Sequence, residues 1–229
     1  MGELLLYHGS KNIIQKPQFG TGNIHNDYGL AFYCTENVEL AREWACTEDS
    51  DGFVNSYSLD IASLTELNLC DGSYHILNWL AILLENRIFR VNSDLKSMSK
   101  DYICSNFMPD YKKYDIIRGY RADDSYFSFA NAFINNQLSL QQLQKAMMLG
   151  DLGEQIALRS EKAFRSLRFT GSDIVDKEIY YPKKARRDQR AREGYKAERS
   201  LVYDGIYIID ILREKWGNED ERLQRNLFR

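Results

Sequence analysis

Leu4-Leu5-Leu6-Tyr7-His8-Gly9-Ser10-Lys11 is the stretch on which the reading of the fold turns. The apolar run has the length and boundaries of a buried strand over residues 4–8, and His8-Gly9 stands where that strand breaks into a loop. Glycine lets another molecule approach bare main chain, and the imidazole beside it offers a donor or an acceptor. Alone, such a pair is more often a turn with a satisfied histidine. It matters together with two later segments, residues 28–44 and 154–169.

Outward from this strand, residues 12–30 form a polar loop rich in glycine, and Ala31-Phe32-Tyr33-Cys34 reads as a short strand. Thr35 is placed to cap a helix whose apolar face is Val38, Ala41, Trp44 and Ala45. Alternation over residues 53–59 predicts a strand, and residues 64–69 another. A strongly apolar helix is expected over residues 75–89, a strand over 114–117 and an aromatic helix over 126–136. Ser139 opens a capping box for a helix ending near Gly150. Residues 155–158 read as a strand, after which Ser160 caps a short helix to Leu167. Short strands interspersed with helices, without regular βαβ alternation, predict an α+β fold.

From Gly171 the composition changes. The run 183–192 is strongly basic with good helix propensity, and Pro182 stands before it as at a helix start. An apolar stretch at 205–212 is expected to dock on the main body, while residues 218–229 are charged. The expected organisation is a core over residues 1–170 and a basic helical C-terminal extension over 171–229, packed on it.

With 229 residues, 44% of them hydrophobic, the chain can bury a sizeable core. A net charge of −3 does not mark the whole molecule as a polyanion binder. Fifteen tyrosines raise the aromatic content, which suits stacking on planar ligands as well as core packing. Cys34, Cys46, Cys70 and Cys104 are scattered without CxxC spacing, and pairing them with His25 or His75 gives no zinc pattern. They read as thiols in a reducing compartment, no metal site is expected, the Leu4–Leu6 run is too short for a signal-peptide core, and no stretch approaches a membrane span. A cytoplasmic location is the expectation.

Taken together, Tyr7-His8-Gly9-Ser10, the strand with Tyr33 followed by Ala41 and Trp44, and the strand with Gln155 resemble the ADP-ribosyltransferase superfamily, in the branch of diphtheria toxin and the poly(ADP-ribose) polymerases. The resemblance implies a split, mixed β-sheet core with surrounding helices and NAD as substrate. It implies that His8 holds the adenosine ribose, that the Gly9 backbone, with Ser10 following, holds the nicotinamide amide, and that Tyr33 stacks on the nicotinamide ring opposite Trp44, with Ala41 as the small helix residue between them. The branch places a glutamate on the later strand, and here Gln155 takes that position. A glutamine can bond a ribose hydroxyl but carries no charge for the developing cation, and such a contact is commonly worth about 2.7–4 kcal/mol in the transition state. Glu154 is adjacent, yet neighbouring strand residues face opposite ways.

A closer resemblance runs over most of the chain. Asp27-Tyr28-Gly29, Trp79, Asn86-Arg87, Asp115-Ile116-Ile117-Arg118-Gly119, Ala122-Asp123-Asp124, and Gln155 with Ser160-Glu161-Lys162-Ala163 are similar to a bacterial domain-of-unknown-function family assigned to that superfamily. In it the glutamine is usual at this strand, and a small neighbouring gene suggests toxin–antitoxin pairing. The resemblance therefore implies a mono-ADP-ribosyltransferase, a toxin or effector with His8, Tyr33 and Gln155 as catalytic residues, an unknown protein or nucleic-acid acceptor and a cognate antitoxin. An NAD glycohydrolase and a catalytically silent nucleotide- or protein-binding module are the alternatives.

Other residues carry plainer readings. Asp123-Asp124 are expected to cap the helix that follows them. Asn86-Arg87 suit structural bonds to a loop more than a phosphate contact, and Arg159 and Arg168 are expected to be solvated or paired. For residues 183–192 a nucleic-acid surface and a solvated helix partnered by Asp188 and Glu193 weigh about equally.

Overall fold

The apolar opening run forms an eight-residue strand, β1 (Glu3–Ser10). It pairs antiparallel with β3 (Gly52–Asp60), His8 lying opposite Asn55. The structure is a computed structural model describing residues 2–122, 124–147, 153–200 and 205–224. β7 (Leu167–Val175) pairs with the other edge of β3, completing a three-stranded antiparallel sheet in the order β1-β3-β7. β2 (Phe32–Cys34), β4 (Glu66–Asn68), β5 (Ile116–Tyr120) and β6 (Glu154–Leu158) form a second sheet in the order β2-β6-β5-β4. Its pairs are antiparallel except β4–β5.

The two sheets are joined by backbone where Tyr7 and Thr35 exchange hydrogen bonds of 2.8 and 2.9 Å. Leu6 and Leu59 of the first sheet pack with Cys34, Ile116, Ile156 and Leu158 of the second. Because side chains alternate along β6, Ile156 and Leu158 turn into this cluster while Gln155 and Ala157 share the opposite face. Ala157 lies in the larger helical core.

That core is built around α2 (Ile76–Asn86), buried continuously from Ile76 to Leu84 as its all-round apolar sequence requires. α3 (Asp94–Phe107) packs against it but buries only Lys96, Ser99, Ile103 and Phe107, so its sequence has no apolar period. α4 (Asp124–Ile134) and α5 (Leu140–Met147) follow. Ser139 and Gln142 make the expected capping box, and the expected end near Gly150 lies outside the described residues. Ser160 caps α6 (Glu161–Arg165), accepting from the Ala163 N–H at 3.0 Å.

Three expectations change. α1 (Val38–Ala45) is capped by Asn37, whose side chain accepts from the N–H groups of Glu39 and Leu40. Thr35 is held instead in the bridge to Tyr7, and its hydroxyl accepts from the Asn37 N–H. Residues 167–175 are strand, so the expected division at residue 170 falls inside β7. Finally, α7 (Lys177–Ser200) begins before Pro182, which lies inside the helix. The early start is held from the side: Asp51 accepts from the Lys177 N–H at 3.0 Å and Asp176 from that of Glu178 at 2.8 Å.

The apolar stretch near the end does dock. α8 (Ile208–Glu214) buries Ile208 and Ile211, and the Ile206 carbonyl accepts from the Leu140 N–H at 2.7 Å. α9 (Glu221–Gln224) buries Leu223. The architecture is mixed α+β. No helix among the described residues is long and apolar enough to cross a membrane.

Candidate functional site

Asn55, fully buried on β3, fixes the end of β1 from below. Its amide nitrogen reaches the His8 carbonyl, the Ser10 hydroxyl and the Asn12 carbonyl, and its oxygen accepts from the Ile14 N–H at 2.8 Å. β1 then runs so close to α1 that a Cβ on Gly9 would lie 2.0 Å from the Ala41 carbonyl oxygen and 2.7 Å from the Ala45 nitrogen. Gly9 is therefore required for packing, whatever else touches its backbone.

His8 sits above this contact, its ring 4.4 Å from that of Phe32. Nδ1–H donates to the Tyr33 carbonyl at 2.7 Å, which ties the first sheet to the second and fixes the tautomer. Burial pushes the His8 pKa down, more than the bond to Tyr33 raises it. The ring is thus neutral near pH 7, and Nε2 is left as an acceptor. The Tyr33 hydroxyl donates to the Gly29 carbonyl at 2.7 Å and accepts from the Tyr28 N–H at 3.0 Å. Burial raises its pKa, so the phenol stays protonated and its hydroxyl is anchored by both bonds.

Gln155 is buried. Its Nε2 donates to Asp27 Oδ2 at 2.8 Å and to the Tyr120 carbonyl at 3.2 Å. Glu154, on the other face, turns toward Arg118 at 3.4 Å. Asp27 also accepts from the Ala122 N–H at 2.8 Å and faces Arg87 at 3.3 Å. Burial raises the Asp27 pKa, and the bonds from Ala122 and Gln155 and the charges of Arg87 and Arg121 oppose that rise.

His8, Gly9, Tyr33, Trp44 and Gln155 line one cleft of about 560 Å³, a size suited to a small-molecule ligand. Ser10 and Ala41 are not on its wall: the Ser10 hydroxyl is engaged by Asn12 and Asn55, and Ala41 is sealed beneath Gly9. The sequence reading missed Asp27, Arg121 and the α7 residues Lys184, Arg187, Asp188 and Arg192, which complete the lining with Asn26, Glu43, Arg87 and Ala122. Five cationic side chains thus face three carboxylates, a local excess that the net charge of −3 conceals. Arg121 lies over the Trp44 ring, 4.4 Å from its centroid. Arg187 grips the buried Glu43 with two nitrogens, at 2.8 and 2.9 Å, and so holds α7 against α1.

Residues 4–169 match a family described as a protein of unknown function, DUF3990. The chain belongs to the DUF3990 family. No curated protein and no solved structure gives a significant match. The segment matching DUF3990 supplies both sheets up to β7 and the His8, Tyr33, Asp27 and Gln155 walls of the cleft. The α7 wall lies beyond it.

The remaining candidates take structural places. Arg159 bonds the Tyr111 carbonyl and covers its ring, and Arg168 pairs with Glu3 at 3.2 Å. Asn86 bonds Ile82 and Tyr111, while Arg87 both braces the Asp27 loop and reaches the cleft. Asp123 lies outside the described residues, and the structure describes only the backbone of Asp124. In the basic run, Lys183 and Arg187 pair with Glu39 and Glu43 of α1. Among the described residues no group of three or more His, Cys, Asp or Glu is placed to hold a metal ion.

Proposed function

We propose that this protein is an NAD-dependent mono-ADP-ribosyltransferase built on the split-sheet core of that superfamily. One observation carries the reading: side chains 8, 33 and 155, from three distant segments on two sheets, line the same cleft together with Gly9 and Trp44. The joint between β1 and β2, the neutral His8 and the doubly anchored Tyr33 support it further.

In this reading Tyr33 stacks on the nicotinamide ring, and Arg121 gives up the Trp44 face to it and turns to the diphosphate. His8 Nε2 accepts from a hydroxyl of the adenosine ribose, and the cationic side chains of Arg121, Lys184 and Arg192 offset the diphosphate charge. Gln155 Oε1 accepts from the hydroxyls of the nicotinamide ribose. The bond between the anomeric carbon and the pyridinium nitrogen breaks first, and the nitrogen keeps the electron pair, so nicotinamide leaves neutral. An acceptor nucleophile then bonds the anomeric carbon of the oxocarbenium-like sugar and loses its proton to solvent.

The test is incubation with labelled NAD and bacterial extract. Nicotinamide release with label on a macromolecule supports transfer, and a strong loss in Tyr33→Ala ties it to this cleft. Free ADP-ribose without added extract would identify a glycohydrolase instead. Binding without turnover would identify a silent module. A toxin should also slow bacterial growth on expression, and Tyr33→Ala should relieve that effect.

A further inference from the structure

Both hydrogens of Gln155 Nε2 are committed, one to a buried carboxylate and one to a main-chain carbonyl. Neither partner can donate, so the amide has a single allowed orientation, with the nitrogen inward and Oε1 toward the cleft. Among the described residues Oε1 has no hydrogen-bond partner, and it is not a sealed atom. Asp27 in turn meets only donors: the Ala122 N–H, the Gln155 amide and the Arg87 guanidinium. That is the solvation of a carboxylate, assembled in a site only 5% exposed.

We propose that Asp27 is the positioning residue for Gln155, holding Oε1 on the ribose side of the cleft and lending the amide negative charge through the 2.8 Å hydrogen bond. The inference rests on the transfer chemistry proposed above and explains how a glutamine serves where a carboxylate is called for. An amide whose N–H bonds an anion carries more negative charge on its oxygen, and burial strengthens that polarisation. The charge is therefore set one residue behind the atom that meets the sugar.

The experiment compares wild type, Asp27→Asn, Gln155→Glu and the double variant Asp27→Asn/Gln155→Glu, reading NAD affinity, kcat and melting for each. Asp27→Asn should lose about 100-fold in kcat, the scale of loss from a misplaced reacting group, with a smaller loss of NAD affinity. Gln155→Glu alone should also lose activity, because two buried carboxylates in contact cannot both ionise. The double variant moves the charge to position 155, where the amide introduced at position 27 can donate to it, and should recover at least tenfold over Asp27→Asn. Wild-type kcat in Asp27→Asn, or no recovery in a folded double variant, would overturn the pairing and leave the transferase reading standing. A wild type that never turns over NAD would remove both. If Asp27→Asn does not fold, NMR of the wild type decides: the Gln155 side-chain amide protons should exchange slowly with solvent, and free exchange would refute the pairing.

Discussion

His8 links fold and chemistry through one proton. Burial lowers its pKa from 6.5, so between that value and the lower native one the unfolded chain binds a proton that the folded chain does not. The stability from burying the neutral ring is therefore fully present above about pH 6.5 and declines as the pH falls below it, whereas the Nε2 acceptor persists until the pH falls through the lowered native value. Asp27 works in the opposite sense, since its raised pKa lets the folded chain take up a proton more readily. Acid then removes the charge behind Gln155 without a stability penalty from that group. We expect NAD affinity to fall only as the pH passes through the lowered native value of His8, with an NMR titration of the His8 ring showing that midpoint under 6.5. An unshifted midpoint would contradict the burial argument. At Gly9 the constraint is steric. Gly9→Ala drives a methyl into the backbone of α1, and overpacking of this kind costs roughly 1–3 kcal/mol, to be read by denaturant unfolding.

Among the elements, those with local signals were legible before the structure. β1 follows from an uninterrupted apolar run, and α5 and α6 from the caps at Ser139 and Ser160. α3 was not, because it buries only four residues, two of them polar, and β7 was not, because it is an edge strand with an irregular burial pattern. Within the site, His8, Tyr33 and Gln155 were legible as motif positions. Asp27 stood only within the family resemblance, and its place in the site shows only through partners 95 and 128 residues away. α7 was misjudged for a similar reason: its start depends on Asp51, and its basic side chains find partners on α1. Arg187→Ala should therefore act on α7 as a whole. It leaves Glu43 buried and unpaired, a loss of about 3 kcal/mol, and thermal melting with hydrogen exchange across residues 177–200 should show the helix released.

At the scale of the molecule, the cleft is a joint product of the two sheets and α7. The segment matching DUF3990 provides the aromatic and amide walls, and α7 adds Lys184, Arg187 and Arg192 on the side where the local charge turns positive. Lys184 is half-buried on that wall, and Lys184→Ala should weaken NAD binding roughly tenfold, the worth of one charge-assisted hydrogen bond. Calorimetric titration would check this, and the difference should shrink at high salt, where such attraction is screened. The most direct measurement is a calorimetric titration of the purified chain with NAD, with Tyr33→Ala alongside. Saturable one-to-one binding is expected in wild type and a large loss in the variant, whereas no binding in wild type, or equal binding in both, would contradict an NAD site in this cleft.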